Sequence, residues 1–503
     1  MLRLSAPVIL STFSLTIMQF VDRFMVSRLG TDALAAILPA GFLGMLPSGF
    51  ALGTIAGLST FVSQSLGRGQ RAACSSYFWQ MLYMGLIYSL AVVAFLWPAA
   101  PLLFRMMGQP AGVAENEVIY FRIMLCAQIP AVINWSSNQF FMGIHRPLVT
   151  MISALFGQAV NIAANYVLIF GKLGIPAMGI AGAGWGTFIG IGAAAFLNLA
   201  VFMSRPMNVS FGSRRAATIA PARMRDLLGV GIPAGLGLAA NVALWGIMLS
   251  ALVGRFGREA LAATSAVLSY TTLSAMPIVG IATALTAAVG KAIGAGRKEL
   301  AVRQTRLCLG VGLIYMGCVG AGFFFLRDVL IVFWSQDADV IAIGSRILIL
   351  AALYQVFHAA RIIYIGALRG AGDTVWPAVI SGIAAVFILG GGGELTARLF
   401  PSFGALGPWT AATLSIIGAC LANGWRFTSR RWMMIDLFKH EAAPLPVQPG
   451  PIGQRYLFSM DGRRWRWHGQ TRLPVGLRPV IACRNSTVKT SLAVPPDSHE
   501  EVG

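Results

Sequence analysis

One carboxylate interrupts the first long apolar stretch of the chain, where it suits proton or cation exchange. Asp22 lies towards the end of residues 3–28, which are otherwise mainly apolar. An ionised carboxylate is costly in such a segment unless it is paired, solvated or able to take up a proton. A carboxylate of this kind can exchange a proton, a metal ion and an organic cation. The alternative is structural pairing with Arg23, although adjacent helix positions point about 100° apart.

Amide side chains at helical spacing are further candidates for this chemistry. Gln19 lies three residues before Asp22, on the same face of a helix. Asn161 and Asn165 are four residues apart in another apolar stretch and also share a face. Buried amides in lipid need hydrogen-bond partners, so either a cation site or simple bonding between helices fits them. Carboxylate and amide oxygens suit Na⁺ as well as a proton relay, and the ion stays open.

Twelve long apolar segments must position these side chains, since about 20 apolar residues span a bilayer. The composition agrees, because 56% of the residues are apolar and 11% are charged, whereas soluble chains are about a quarter charged. The sequence therefore predicts an all-α membrane protein. The predicted spans cover residues 3–28, 35–64, 76–99, 116–142, 147–170 and 179–203, then 227–253, 262–290, 303–326, 340–368, 375–396 and 404–426.

The two sets of six spans repeat one another. Three glycines of the first half recur 227 residues later (280−53, 294−67, 370−143), namely Gly53, Gly67 and Gly143 as Gly280, Gly294 and Gly370. Duplicated membrane proteins commonly place a substrate site between their halves and rock one half against the other. We therefore expect two homologous six-helix lobes around a central site.

The repeat and the charge distribution predict four regions and an orientation. The regions are an N-lobe over 1–203, a linker over 204–225, a C-lobe over 226–435 and a polar tail over 436–503 that we expect to be disordered. Lys and Arg are concentrated in the even-numbered loops, so the positive-inside rule places the linker and both termini in the cytoplasm. This orientation and anionic lipid headgroups explain the net charge of +20 without nucleic acid.

Four motifs, in order and at duplicated spacing, resemble the multidrug and toxic compound extrusion (MATE) family over about residues 1–435. The motifs are residues 21–30 with 33–36, residues 64–69 with their repeat at 291–296, residues 161–171, and residues 368–374. The resemblance implies two six-helix lobes in a V arrangement. It also implies drug export that is driven by inward flow of Na⁺ or H⁺.

The resemblance also implies roles for particular residues of the N-lobe. In the family, residues at the positions of Asn161 and Asn165 join the aspartate of helix 1, here Asp22, in a cation or proton site. The pair of asparagines is the pattern of the NorM-like branch. Arg23 departs from the family, where a small polar residue is usual, and it either keeps Asp22 ionised or extends to an interface.

The second lobe departs further from the family. Asn241 stands where Na⁺-coupled NorM-like members have a glutamate, which weakens any cation site there. Asp373 matches the family's acidic residue, and with Asn241 it forms a candidate polar site of the C-lobe. The turn around Asp373 nevertheless favours a simpler role for it as a helix cap.

Aromatic and methionine side chains are candidates for a substrate cavity, because adaptable apolar surfaces accommodate varied compounds. In membrane helices most such side chains only pack or face lipid, so we expect a minority of the candidates to contact substrate. The candidates are Phe24, Met25, Trp135, Trp245, Tyr270 and Tyr364.

These observations predict a monomeric antiporter of the bacterial inner membrane that exports cationic or amphiphilic compounds in exchange for H⁺ or Na⁺. The chain shows neither a cluster of catalytic side chains nor a Walker motif, so an enzyme or a directly ATP-driven pump is disfavoured, and no cofactor is expected. The alternative is a flippase or exporter of a lipid-linked or other large anionic precursor. That alternative requires basic side chains in the central cavity, for which Arg361 is the residue to test.

Overall fold

The computed structural model describes residues 2–29, 31–106, 111–438, 457–461 and 464–468 and divides into two units. The regular structure described in the first unit is helical. The units are Met1–His440 and Glu441–Gly503. The first unit contains both predicted lobes. Apolar runs favour helices here because a helix satisfies its own backbone hydrogen bonds inside a bilayer.

The N-lobe consists of six spans, the second of which is interrupted at Gly57. A short helix, α8 (Arg205–Phe211), follows them in the linker. The spans are α1 (Leu2–Ser27), α2 (Thr31–Ala56) continued by α3 (Leu58–Gly67), α4 (Arg71–Met106), α5 (Ala111–Gly143), α6 (Pro147–Phe170) and α7 (Gly179–Phe202).

The C-lobe repeats this arrangement, with π-helical segments Met248–Val253 and Ala384–Gly391 inside or after its spans. Short 3₁₀ turns lie at Gly254–Phe256, Pro401–Phe403 and Arg431–Met434, and α12 (Arg327–Val332) precedes the fourth span. The spans are α9 (Pro221–Ile247), α10 (Arg258–Gly294), α11 (Lys298–Phe325), α13 (Ala338–Ala371), α14 (Val375–Ile383) continued to α15 (Gly392–Leu399), and α16 (Leu406–Thr428).

The helices have the lengths that membrane spans require. In the described part of the chain, ten helical segments are long and apolar enough to cross a bilayer. The helices α1 and α16 complete the set, since their 26 and 23 residues exceed the roughly 20 that a span needs. The prediction of a twelve-helix membrane protein with two lobes is confirmed.

The lobes contact each other where α3, α10 and α13 end. There the backbones of α3 and α10 approach so closely that a Cβ atom at Gly67 would overlap the carbonyl oxygen of Lys291. In the same way, a Cβ atom at Gly294 would overlap the carbonyl oxygen of Gln64. Glycine is required at both positions because only its missing side chain permits this approach.

Hydrogen bonds add to this inter-lobe contact. The Thr60 hydroxyl donates to the carbonyl oxygen of Arg369 at 2.8 Å. The Gln64 side-chain amide donates to the carbonyl oxygen of Gly370 at 3.0 Å. Both bonds join α3 of the N-lobe to the end of α13 in the C-lobe, so they hold the two lobes together at this end of the molecule.

The end of the first unit returns from the C-lobe to the N-lobe. Phe438 is only 4% exposed and packs against the rings of Phe61 and Tyr77. Arg68 lies over the Phe438 ring, 3.9 Å from its centroid, and forms an ion pair of 3.2 Å with Asp436. The predicted start of a disordered tail at residue 436 is therefore too early, because residues 436–438 pack on the N-lobe core.

The second unit contains two short strands, β1 (Leu457–Asp461) and β2 (Arg464–His468), which pair antiparallel with Leu457 opposite His468. Alternating Arg and Trp side chains favour a strand, because successive residues point to opposite faces. These ten residues form strands, whereas disorder was predicted for the tail.

Candidate functional site

The structure brings together three of the four residues predicted for an N-lobe cation or proton site. The Asn165 side-chain amide donates to Asp22 Oδ1 at 2.7 Å. The same amide nitrogen lies 3.4 Å from Asn161 Oδ1. The group therefore links α1 to α6 through one carboxylate and two amides.

Glycines of α7 allow these amides to be buried. Asn161 and Asn165 are 1% and 0% exposed, whereas Asp22 is half-buried. A Cβ atom at Gly186 would overlap Asn165 Oδ1, and a Cβ atom at Gly190 would lie 2.5 Å from Asn161 Cβ. The close packing of α6 on α7 thus depends on glycine, and it fixes the direction in which both amides point.

The donor set of this group suits a proton or a hard cation. Within the described residues, Asn165 Oδ1 and Asn161 Nδ2 have no hydrogen-bond partner. Carboxylate and amide oxygens are the ligands that hard cations prefer. Nowhere in the described ranges do three or more His, Cys, Asp or Glu side chains gather as a metal site. One carboxylate with amide oxygens is a set of hard ligands, whereas transition metals prefer imidazole or thiolate ligands.

The side chains of Gln19 and Arg23 lie outside the described residues, although both positions belong to α1. The predicted participation of Gln19 and the predicted effect of Arg23 on Asp22 therefore stay predictions.

Further polar groups of the N-lobe were missed by the sequence analysis. The Asn198 side-chain amide donates to Asn134 Oδ1 at 2.9 Å and to Asn138 Oδ1 at 3.0 Å. The four-residue spacing of Asn134 and Asn138 was a usable signal, since it places both on one face of α5. Glu117 is also buried on α5, and neither of its carboxylate oxygens has a hydrogen-bond partner in the part of the chain that the structure describes.

The C-lobe contributes charged side chains to a cavity of about 300 Å³ between the lobes. Its lining includes Asn241, Arg361, Arg369 and Asp373. Arg361, the residue to test for the alternative function, therefore lines the central cavity. This cavity also brings together the two residues of the candidate C-lobe polar site.

The capping role predicted for Asp373 is wrong. Asp373 is 5% exposed and accepts a hydrogen bond of 2.7 Å from Nε of Arg426. The residue at the N-cap of α14 is Thr374, which makes no side-chain capping bond. The Thr374 hydroxyl instead donates to the carbonyl oxygen of Val230 at 2.7 Å. The ion pair with Arg426 offsets the cost of burying Asp373, since an unpaired buried charge is strongly destabilising.

The aromatic candidates lie in different places. Trp245 lines a small cavity together with Asn241 and Arg361. Trp135 packs on the N-lobe core, and the Tyr270 hydroxyl donates to the carbonyl oxygen of Leu330. The other three candidates are the exposed Phe24, the half-buried Met25, which packs beside Val26, and Tyr364, which lines two cavities other than the central one.

Comparison with known proteins identifies the family. The family model described as MatE matches residues 7–167 and 233–390. The "Probable multidrug resistance protein NorM" of Chromobacterium violaceum is 31% identical over 433 residues, which cover 83% of this chain and 90% of that protein. The protein of the same name from Mesorhizobium japonicum is 29% identical, and the match covers 84% of this chain and 92% of that protein.

Solved structures show the same fold. An outward-facing multidrug resistance MATE family transporter superposes with a TM-score of 0.79 at 20% identity, over 86% of this chain and 96% of that one. A transporter of the MOP superfamily from Pyrococcus furiosus gives the same values. Since the family model matches both halves and a relative with 31% identity is covered over 90% of its length, this chain belongs to the MATE family of multi-pass membrane transporters and is not an enzyme.

Proposed function

We propose that this protein is a secondary antiporter that exports amphiphilic organic compounds, cationic ones among them, in exchange for H⁺ or Na⁺. The observation that carries the proposal is the hydrogen bond from Asn165 to Asp22, with Asn161 next to Asn165, inside an apolar lobe. The names of the curated relatives, multidrug resistance proteins, support the substrate class.

Asp22 couples the two flows because it cannot stay ionised at low cost without a partner. When Asp22 is ionised, it accepts the hydrogen bond from Asn165 and attracts a cation. When Asp22 takes up a proton or binds Na⁺, its charge is neutralised and its attraction for an organic cation is lost. Uptake of the coupling ion therefore favours release of the exported compound, which is the requirement for antiport.

The contact between the lobes supports a state that is closed at the cytoplasmic end and open to the outside. The ends of α3, α10 and α13, where the lobes meet, are cytoplasmic by the positive-inside rule. A carrier that is closed at the cytoplasmic end exposes its central cavity to the outside. Asp22 lies near the opposite end of α1, so in this state it is placed to take up ions from outside the cell.

We place the protein as a monomer in the bacterial inner membrane, with both termini in the cytoplasm. The excess of Lys and Arg in the even-numbered loops supports this orientation. The bacterial sources of the curated relatives support the location.

Transport by reconstituted protein tests this function. Purified protein in liposomes is given an imposed pH gradient or, separately, a Na⁺ gradient, and accumulation of a fluorescent cationic amphiphile is followed. We expect flux to follow one gradient in the wild type and to fall to the level of empty liposomes in Asp22→Asn. Asp328→Asn is the matched control, because the Asp328 side chain is 67% exposed and lies far from Asp22 in the sequence. An Asp22→Asn protein that still concentrates the dye would refute the proposed role of Asp22.

A further inference from the structure

The C-lobe side of the central cavity carries more positive than negative charge. Two guanidinium groups, those of Arg361 and Arg369, line this cavity of about 300 Å³. The one acidic side chain among its described lining residues is Asp373. That carboxylate already pairs with a third guanidinium, Arg426, at 2.7 Å. The cavity therefore lacks an acid that balances Arg361 and Arg369.

Arg361 lies well inside the membrane span. It is ten residues before the end of α13 at Ala371 (371−361), which places it about 15 Å from that end at 1.5 Å per residue. Within the described residues its side chain forms no ion pair, and its Nε atom is buried without a hydrogen-bond partner. An unpaired charge at this depth is costly for folding. Such residues in membrane spans typically mark a ligand pathway.

The surroundings of Arg361 suit an organic molecule with one anionic group. A second cavity, of about 20 Å³, shares Arg361, Asn241 and Ser381 with the first cavity and has Ser415 as a further polar lining residue. The ring of Trp245 and several aliphatic side chains form the remainder of that lining. A guanidinium binds a carboxylate or a phosphate with two parallel hydrogen bonds, whereas an apolar wall accommodates the rest of an amphiphile.

We propose that the C-lobe half of the cavity binds the carboxylate or phosphate group of an amphiphilic substrate, with Arg361 as its main ligand and Arg369 as a second positive charge. The proposal extends the proposed function by naming a substrate class, because exported compounds then include zwitterions and anions besides cations. Binding to Arg361 does not require ion coupling at Asp22, so the two proposals can be tested separately.

A matched pair of dyes tests the proposal by equilibrium binding to purified protein in detergent. Rhodamine B carries a free carboxylate, and its ethyl ester has the same ring system without that charge. Fluorescence anisotropy gives the affinity of each dye for wild type, Arg361→Gln and Arg346→Gln. The control residue Arg346 lies on the same helix, is exposed and does not line the cavity. Both variants therefore remove one positive charge from α13.

We expect Arg361→Gln to weaken binding of rhodamine B by about tenfold or more, since hydrogen bonds to charged groups are the strong ones. Binding of the ester should change by less than about twofold, and Arg346→Gln should leave both affinities unchanged. Equal losses for both dyes in Arg361→Gln, or no binding of rhodamine B to the wild type, would overturn the proposal. Loss of gradient-driven flux with the dye preference intact would overturn only the proposed antiport.

Competition distinguishes the source of the anionic group. If millimolar inorganic phosphate displaces rhodamine B from the wild type but not from Arg361→Gln, the anion alone is sufficient for binding. If dioctanoyl phosphatidic acid displaces the dye and inorganic phosphate does not, the site requires a phosphate on a lipid-like body, as a lipid-linked precursor carries. Either pattern supports the site. A failure of both competitors together with unchanged dye binding in Arg361→Gln contradicts it.

Discussion

Substitution of Gly294 by alanine tests the inter-lobe contact most directly. A Cβ atom at this position would overlap the carbonyl oxygen of Gln64 and lie 2.8 Å and 2.9 Å from its carbonyl carbon and Cα. The obstacles are backbone atoms on the other lobe, so relief requires α3 and α10 to separate. The state in which the lobes are in contact should therefore be less populated in Gly294→Ala than in the wild type.

The size of this effect follows from the cost of over-packing, which is about 1–3 kcal/mol for an added carbon in a tight contact. Because about 1.4 kcal/mol is a factor of ten in an equilibrium constant, the population of the contacting state should fall about 5- to 140-fold relative to the separated state.

Double electron–electron resonance between spin labels at positions 70 and 297, in a cysteine-free background, measures the distance between the two lobes at the ends of α3 and α10. Gln70 follows α3 and Arg297 follows α10, so the label distance reports their separation. Gly310→Ala on α11 is the control, because a Cβ atom there meets no atom within 4 Å. An unchanged distance distribution in Gly294→Ala would mean that the contact does not limit separation of the lobes.

Two further predictions concern the same end of the molecule. Phe438→Ala should lower the thermal midpoint of the detergent-solubilised protein, because burying a phenylalanine contributes about 3–5 kcal/mol in a core and Phe438 is 4% exposed. His145→Asn should reduce the loss of stability in acid. Burial, together with the positive charge of Lys291, lowers the pKa of His145 to about 4 from its usual 6.5. Between pH 6.5 and pH 4 the unfolded chain binds a proton at His145 that the folded chain does not bind. The free energy of unfolding is therefore unaffected by His145 above about pH 6.5, and it decreases as the pH falls towards 4.

Each of these predictions has an internal comparison. Phe325→Ala removes a phenylalanine that is 79% exposed and should change the midpoint little in detergent. For His145, asparagine is chosen because the residue has a φ of 61°, which asparagine tolerates. The quantity to compare is the difference between the midpoints at pH 7.5 and pH 5. If that difference is the same in His145→Asn and wild type, the ring does not titrate as described.

Much of the fold followed from the sequence because the bilayer imposes simple rules. A span must be long, apolar and helical, so apolar runs and their repetition predicted twelve helices and two lobes. The grouping of Asp22 with Asn165, which in turn contacts Asn161, was also anticipated, since helical spacing places the two asparagines on one face and the family resemblance supplied their partner.

The features that sequence reasoning missed depend on contacts between distant segments. Asp373 follows a turn and was interpreted as a cap, but its partner Arg426 is 53 residues away. Phe438 follows the last span of the C-lobe and yet packs on the N-lobe core. Arg361 was identified as a residue to test, but only the cavity lining revealed that it has no acidic partner among the described residues. Local patterns do not encode such pairings.

The contact between α3 and α10 has the geometry of a two-fold symmetric dimer interface. Gln64 and Lys291 are equivalent in the repeat (291−64 = 227), as are Gly67 and Gly294 (294−67 = 227). Gly67 meets the carbonyl oxygen of Lys291, and Gly294 meets that of Gln64, so each contact is made twice with the roles exchanged. This reciprocity is the mark of an isologous interface.

A single chain with such an interface behaves as a homodimer whose two subunits have been fused. Position 361 corresponds to position 134 (361−134 = 227), and these positions hold Arg361 in one lobe and Asn134 in the other. Two identical subunits would carry the same residue at both positions. A single chain is free of that constraint, so the C-lobe can carry Arg361 where the N-lobe carries Asn134.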